Sequence, residues 1–545
     1  MKKIYLYISL VASLLFTSCD GYFDINTDPN NPTDVNHTTL IPTVQIYGTK
    51  ALCTSSGLGN ELVVYTHQFS TREEADAYGV TGGDWYTGNA WSNMYITTLE
   101  NLELALDKAT IAEDNFSIGI LKIMKAYYYS QFVDVFGDVP FSEACRTDEG
   151  IMYPKYDKDS EIYPQLFTLL DEGISALQGS ANGGSYDLIY KGNAAKWIKA
   201  AKTIKLKLYT QVRLVQNVSS EVKALLSEDL ISATNEGFMF QFGASVTPDE
   251  RHPGFADSYA TTQQTNHISP WFFEIMRGIN PLFSGITDPR IPYYFYNQLK
   301  ANEASNQKCE YRYEGFVSIY FGSNGNRRDL SRDGDLTVPG IYPVAGKYDD
   351  SKGGKVSSND GTGAALYRYI TYADRLYLEA ELIQAGVVTG DAKAVLKTAM
   401  QESFKLVDYV VKATGSSQSV PVLSDAIAVS TYINKILALF DAANAEKKME
   451  IIMTQKWIQC FGNAIDQYTD YRRTGYPVMF DPNSVGGRIT PPTGGDPTED
   501  LPSVPVSCSM DYPASLPYVT SELSLNPNAP DQKTDLGNRK VFWDK

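Results

Sequence analysis

Residues 125–144 read KAYYYSQFVDVFGDVPFSEA, and this stretch indicates how the rest of the chain folds. Apolar and aromatic side chains recur three and four positions apart through its first half, which predicts a helix with one buried face. Gly137 can adopt the left-handed conformation that closes a helix, and Pro140 blocks its continuation. The stretch therefore predicts a long helix that ends sharply near residue 136.

The same helical spacing recurs on both sides of this stretch. Leu99, Leu102 and Leu106 mark a helix that pairs with it, and three further pairs follow along the chain. The predicted pairs occupy roughly 90–136, 160–217, 365–410 and 421–465. Paired helices of this size resemble tetratricopeptide units, although their spacing is too irregular for a repeat that the sequence alone reveals. We expect an all-α fold of tetratricopeptide-like helix pairs in one domain, with long irregular loops and minor β-hairpins.

Two long blocks lack the helical pattern. Residues 237–360 are rich in Gly, Pro, Asp, Asn and Tyr, and the segment 308–321, KCEYRYEGFVSIYF, alternates as a strand or hairpin does. Residues 473–545 form a Pro-rich second block, and a shorter Gly-rich loop spans 54–90. Binding residues are often carried on loops that a rigid scaffold positions, so we expect the ligand site in the 237–360 insert or the 54–90 loop.

Composition excludes several functional classes. The chain has 545 residues, 43% of them hydrophobic, and a formal net charge of -17. An acidic chain repels phosphate backbones, so we expect no nucleic-acid partner. The chain has 37 Tyr but only 4 His, and no two of these His form an H-E-x-x-H pair. Tyrosine combines an apolar ring with a polar tip and suits wet binding surfaces, although it also fills helical cores.

The first residues predict export and lipidation. Lys2 and Lys3 precede an apolar run over residues 4–16 that is too short to span a bilayer, so residues 1–18 are interpreted as a signal peptide. Small residues directly before Cys19 are typical of a lipobox, which predicts acylation at Cys19, although an ordinary signal peptidase could cut nearby instead. Residues 19–36 would form a polar tether and 37–545 the folded domain, held at the membrane through the lipid anchor only.

An ordered set of segments carries a family resemblance. The segments are FDINTDPNNPT at 23–33, the stretch at 125–144, PKYDKDSEIYPQLFTLLDEGISAL at 154–177, KWIKAAKTIKLKLYTQV at 196–212, ITYADRLYLEAELIQAG at 370–386, EIIMTQKWIQCFGNAIDQYTDYRRTGYP at 450–477, LPYVTSELSLNPN at 516–528 and KVFWDK at 540–545. Together they resemble the SusD/RagB family of outer-membrane nutrient-binding lipoproteins, in its second, SusD-like branch. No single segment would suffice, but the set covers essentially the whole chain.

The resemblance implies more than the residues alone do. It implies a SusD-like fold exposed at the cell surface, bound to a SusC-like TonB-dependent outer-membrane transporter, and no enzymatic activity. The ligands of the family are mostly oligosaccharides, so the leading hypothesis is capture and delivery of oligosaccharide. Capture of peptides by the same architecture remains an alternative, and a surface glycoside hydrolase is a weaker one. The sequence holds no nucleophile elbow and no phosphate-binding loop, but a carboxylate pair cannot be recognised by counting.

One segment has the spacing of a calcium loop. Asp329, Ser331, Asp333 and Asp335 place oxygen atoms at alternate positions, with Gly334 for the turn. Gly340 stands where the closing Glu of such a loop is expected. The sequence therefore permits a structural Ca²⁺ whose last ligand comes from elsewhere, and a solvated acidic turn is the simpler alternative. No other cofactor is expected.

Two loops carry the mixture of aromatic and polar groups that a sugar site needs. The candidate ligand-binding residues are His67, Arg72, Tyr78, Asp84, Trp85 and Tyr86 in the first loop, and Trp271, Tyr296, Tyr320 and Arg327 in the second. Trp85 lies outside the helical pattern and is expected to be exposed, whereas Trp91 lies within it and is expected in the core. Pro270 and the apolar residues after Trp271 favour burial of that ring. The resemblance does not transfer these residues, because ligand contacts differ between members of the family.

Overall fold

The structure is a computed structural model that describes residues 35–72, 78–261, 264–305, 309–328, 335–489, 501, 503–508 and 512–544. Its α-helices are α1 (His37–Leu52), α2 (Gly59–Tyr65), α3 (Trp85–Ser92), α4 (Glu100–Ile111), α5 (Asn115–Phe136), α6 (Asp159–Leu177), α7 (Ala194–Val212), α8 (Ser219–Leu226), α9 (Pro253–Phe255), α10 (Pro270–Arg277), α11 (Ile291–Tyr294), α12 (Ile341–Val344), α13 (Tyr372–Gln384), α14 (Ala392–Ala413), α15 (Ile427–Ala442), α16 (Ala445–Gln459), α17 (Ala464–Thr474) and α18 (Thr520–Leu525). A π-helical segment, Asn93–Leu99, joins α3 to α4 without a break. The fold is mostly helical, as the sequence predicts.

The ends of α5 follow from its sequence. Asp114 caps the first turn by accepting a hydrogen bond from the backbone N–H of Ser117 at 3.2 Å. Gly137 ends the helix with φ +75°, a conformation that costs glycine little. Pro140 then lies in the short strand β2 (Val139–Pro140). The predicted buried helix and its sharp end are both confirmed.

Helices that are neighbours in sequence pack together, including across the predicted pairs. Helix α5 contacts both α4 and α6, α7 contacts α6, α13 contacts α14, and α15 contacts α16. The α5–α6 contact is close because glycines face each other: a Cβ on Gly119 would come within 2.5 Å of Leu177, and one on Gly173 within 2.8 Å of Ile123. The helices therefore form a continuous array rather than isolated pairs.

The strands are short antiparallel pairs. They are β1 (Phe69–Thr71) with β5 (Asn266–Ile268), β2 with β3 (Tyr156–Asp157), β4 (Phe238–Gln241) with β10 (Leu366–Ile370), β6 (Phe295–Tyr296) with β9 (Val338–Pro339), β7 (Tyr311–Tyr313) with β8 (Phe316–Ser318), and β11 (Arg488–Ile489) with β12 (Val504–Pro505). The β7–β8 pair is the hairpin that the alternation at 308–321 predicts, with Tyr311 opposite Ser318. The β1–β5 pair joins the 54–90 loop to the 237–360 block.

The segment before residue 545 is fastened inside the helical array. Trp543 is fully buried, and its Nε1–H donates to Asp134 Oδ1 of α5 at 2.9 Å. The hydroxyl of Tyr163 donates to the same oxygen, and the guanidinium of Arg472 lies 4.6 Å from the centre of the Trp543 ring. Burial raises the pKa of the Asp134 carboxyl above its ordinary value. Within the described ranges, no helix is both long enough and apolar enough to cross a membrane.

Removing the Trp543 ring tests this anchorage. We expect Trp543→Ala to lower the free energy of unfolding by about 3–5 kcal/mol, because it leaves a large cavity and removes one of the two side-chain donors to the buried Asp134 carboxylate. Urea denaturation followed by circular dichroism measures the change. The exposed Trp85→Ala serves as control and should stay within about 0.5 kcal/mol of the natural protein. Equal stability of Trp543→Ala and the control would show that this segment is not part of the cooperative core.

Candidate functional site

Trp85 stands on the surface because of how helix α3 begins. Asp84 is the N-cap, and its Oδ1 accepts a hydrogen bond from the backbone N–H of Thr87 at 2.7 Å. This places Trp85 at the first helical position, where its side chain is 65% exposed. Trp91, two turns later, is 5% exposed and packs on Tyr95 with ring centres 4.6 Å apart. The sequence prediction that separates these two tryptophans is correct.

Tyr86 and Arg72 tie Trp85 to the 237–360 block. The rings of Trp85 and Tyr86 meet edge to face with centres 4.8 Å apart. The Tyr86 hydroxyl shares a 2.7 Å hydrogen bond with Oγ1 of Thr265. Arg72 follows strand β1, and its Nε–H donates to the backbone carbonyl of Gln264 at 3.0 Å. The aromatic pair is therefore held against a polar segment from a distant part of the sequence.

Asp257 adds a carboxylate to this group. Its Oδ1 accepts the backbone N–H of Thr265 at 3.3 Å, and its Oδ2 accepts the hydroxyl of Ser55 at 3.4 Å. The side-chain amide of Gln264 is fully buried beside this group and makes no hydrogen bond to any residue that the structure describes. We call Arg72, Trp85, Tyr86, Asp257 and Thr265 the Trp85 surface. Sequence reasoning missed Asp257 and Thr265, because only the folded chain brings them next to the first loop.

Two predicted residues of the first loop lie in the interior. His67 is fully buried and Tyr78 is 6% exposed, and the His67 Nε2 and the Tyr78 hydroxyl share a 2.7 Å hydrogen bond. The His67 imidazole also stacks on Phe321, with ring centres 3.9 Å apart. Burial lowers the pKa of His67 to about 3, so the ring is neutral near pH 7. The structure does not bring His67 and Tyr78 to the Trp85 surface.

The candidates from the second loop are dispersed. Tyr320 is 4% exposed and packs edge to face on Tyr311. Trp271, for which the preceding proline predicts burial, is only half-buried and lies near Phe480. Arg327 is half-buried and donates to the backbone carbonyl of Cys309 at 3.1 Å. None of these three side chains joins the Trp85 surface in the described part of the chain.

Tyr296 borders a polar cavity of about 450 Å³. The ring is 1% exposed, and its hydroxyl donates to the backbone carbonyl of Gly353 at 2.8 Å. The ammonium of Lys347 lies 4.6 Å from the ring centre and 3.2 Å from a carboxylate oxygen of Asp360. The ring of Tyr296 is therefore already covered by a cation, which leaves its face unsuited to stacking with a sugar.

The calcium loop lies largely outside the described residues. The structure does not describe Asp329, Ser331 and Asp333. It does describe Asp335, which is 1% exposed, and the ammonium nitrogen of Lys355 lies 3.8 Å from its Oδ1. A lysine beside the carboxylate weighs against a second cation there. Among the described residues, no three His, Cys, Asp or Glu side chains come together as a metal site would require. The structural Ca²⁺ stays a prediction.

The buried imidazole predicts how acid affects stability. Because the folded pKa of His67 is depressed, the unfolded chain takes up a proton near pH 6.5 while the folded chain does not. The contribution of His67 to the free energy of unfolding is fully present above pH 6.5. It falls by up to about 1.4 kcal/mol per pH unit as the pH is lowered toward 3. We expect His67→Phe to make the free energy of unfolding depend less steeply on pH between pH 6 and pH 4, by the equivalent of about one bound proton. Urea denaturation at a series of pH values measures this slope.

Tyr78→Phe is the matched control for this prediction. It removes the same hydrogen bond but no group that titrates in this range, so the slope of the natural protein should remain. An unchanged slope in His67→Phe would show that the imidazole is accessible to protons in the folded protein.

Several proteins of known structure have a similar fold. Solved structures that are similar to the chain include a chitin-binding protein (21% identity, TM-score 0.64, covering 94% of this chain and 100% of that one), a SusD homologue from Bacteroides fragilis NCTC 9343 (18%, 0.63, 90% and 94%) and a chitin-binding SusD homologue from Flavobacterium johnsoniae (19%, 0.62, 94% and 99%). At these identities the likeness establishes the fold. Comparison with curated proteins finds no match.

The family assignment rests on the sequence profile. The profile SusD-like_2, described as "Starch-binding associating with outer membrane", matches residues 29–491. This range covers most of the chain and includes the helical array, the 237–360 block and the Trp85 surface. The proteins of this family bind nutrients and are not enzymes, and the family is associated with the outer membrane. The chain therefore belongs to the SusD-like family.

Proposed function

We propose that this protein is a cell-surface lipoprotein that captures an oligosaccharide at the Trp85 surface and delivers it to a SusC-like TonB-dependent transporter. The observation that carries the proposal is the exposed Trp85 ring, which is held at a right angle to Tyr86 beside polar groups of a second segment. The starch-binding description of the family supports a carbohydrate ligand. No bond of the ligand is broken in this function.

The Trp85 surface has the chemistry that a sugar requires. One face of a sugar ring is lined by C–H groups, and a flat exposed indole offers it a matching apolar plane. The hydroxyls at the edge of the sugar need both donors and acceptors, which Arg72 and Asp257 supply. Both are held by backbone contacts within the protein, so little side-chain freedom is lost on binding. Two of the similar structures are chitin-binding, so chitin fragments join starch fragments as the first ligands to test.

Loss of the Trp85 ring tests the site. We expect Trp85→Ala to weaken binding by about 1–3 kcal/mol, the range found for stacking of nucleobases on aromatic side chains, without lowering the melting temperature. Affinity electrophoresis in gels with starch, soluble chitin derivatives or other polysaccharides, followed by calorimetry with the best oligosaccharide, measures the change. Tyr409→Ala removes another partly exposed aromatic ring, on α14, and should bind as the natural protein does.

Other outcomes separate the alternatives. Unchanged affinity in Trp85→Ala would remove this surface from the site. Retention of no glycan, with heat released on titration of a peptide mixture, would replace oligosaccharide by peptide as the ligand. Shortened products after long incubation with a glycan would indicate a hydrolase.

The proposed anchor at Cys19 is tested separately. We expect the natural protein to stay with the membrane after a high-salt wash and to be labelled by a fatty-acid analogue, because acyl chains insert into the bilayer. Cys19→Ser lacks the thiol that is acylated, so label and membrane retention should both be lost. Immunoblots of the washed fractions measure this. Full retention of the unlabelled Cys19→Ser protein would show that lipid does not hold it.

A further inference from the structure

Another cavity is lined in part by residues of the helix that carries Trp85. It has a volume of about 490 Å³ and is bounded by the π-helical segment Asn93–Leu99, residues 144–154 and α18. Three of its lining side chains are aliphatic and strongly exposed: Ile96 at 71%, Met152 at 66% and Leu525 at 74%. Large apolar side chains that stand in water around one concavity are typical of a binding surface.

The charged side chains that line this cavity in the described part of the chain are both acidic. Glu100 and Glu522 line it, and none of its lining residues is Lys or Arg. Glu100 accepts a hydrogen bond from the Thr147 hydroxyl at 3.4 Å, and Glu522 accepts one from the amide of Asn526 at 2.8 Å. Neither carboxylate forms a salt bridge within the described ranges of the chain. A positively charged group bound in the cavity could therefore pair with one of these two carboxylates.

The lining does not suit a sugar. Trp91 is 5% exposed, and Tyr95 uses its hydroxyl to donate to the backbone carbonyl of Pro140 at 2.9 Å. The Trp91 ring is thus buried and the Tyr95 ring is half-buried, whereas the most exposed lining side chains, Ile96, Met152 and Leu525, are aliphatic. Aliphatic side chains around two carboxylates match an apolar segment that contains a basic residue, because the apolar part buries the rim and the cation meets the acids.

We propose that this acidic apolar cavity binds a short protein segment in which a Lys or Arg is flanked by aliphatic side chains. A peptide segment fits this lining, because its aliphatic side chains can cover the exposed Ile96, Met152 and Leu525 while its basic side chain meets Glu100 or Glu522. This site is separate from the Trp85 surface and does not depend on the ligand proposed there.

The probe is an acetylated and amidated tetrapeptide with the sequence leucine, lysine, isoleucine, leucine, titrated into residues 20–545 by calorimetry. We expect saturable binding that weakens with added salt, and no binding of the same peptide with glutamate in place of lysine. The double variant Glu100→Gln with Glu522→Gln should bind at least about tenfold more weakly, because a neutral amide keeps the shape but loses the charge. Glu221→Gln on α8 neutralises an exposed glutamate that does not line the cavity, and this control should bind as the natural protein does.

A second pair of variants tests the apolar part. Ile96→Ser and Leu525→Ser alter exposed side chains, so we expect folding to be kept and peptide affinity to fall. Trp85→Ala should leave peptide affinity unchanged, which distinguishes this site from the proposed sugar site. Absence of binding to the natural protein, equal binding of the lysine and glutamate peptides, or an equal loss in Glu221→Gln would overturn the proposal.

Discussion

A buried carboxylate, Glu381 of α13, is the interaction on which the helical array depends. It is fully buried, and Arg213, at the end of α7, donates to it through Nη2 at 2.9 Å. Arg473 of α17 donates to both of its oxygens and also to Asp470 at 2.6 Å, and Lys456 of α16 pairs with the other Asp470 oxygen at 2.6 Å. Four helices from distant parts of the sequence meet in this network. Breaking a buried pair leaves an uncompensated charge, so each helix is confined to the position that satisfies the others.

The same helices position the Trp85 surface. The indole N–H of Trp457 in α16 donates to the backbone carbonyl of Thr66 at 2.9 Å, and the side-chain amide of Gln68 donates to the Trp457 carbonyl at 2.7 Å. The Gln68 amide oxygen also accepts the backbone N–H of Gly462 at 3.2 Å, next to α17. Gln68 directly precedes strand β1, and Arg72 directly follows it. The charged network thereby fixes the loop that carries the proposed site. A loop that is already held in place loses little conformational entropy when a ligand binds.

The helical array could be predicted from sequence because local pattern and tertiary burial agree there. The spacing of apolar residues and the Gly137 end signal point to the same helix, and alternation at 308–321 marks the β7–β8 hairpin. Helix α1 was not predicted: Pro42 lies inside it, and Gln45, Gly48 and Thr49 interrupt the apolar residues of its buried face. Packing on its neighbours stabilises it instead. The loop tyrosines were also ambiguous, because composition does not distinguish a ring on the surface from one in a small local core. Tyr296 lies in such a core with Phe255 and Tyr259, inside the 237–360 block.

The two surfaces proposed here share one continuous helix. Ile96 follows Trp85 by eleven residues (96 − 85) along the helix that α3 and the π-helical segment form, and both side chains are exposed. Trp91 and Leu99 of the same helix are buried. Ile96 lines the acidic cavity and Trp85 does not, so a protein segment bound in the cavity would use a different part of this helix from a sugar held at Trp85. Chemically distinct surfaces allow a ligand and a partner protein to be bound at the same time, which the delivery step proposed above requires.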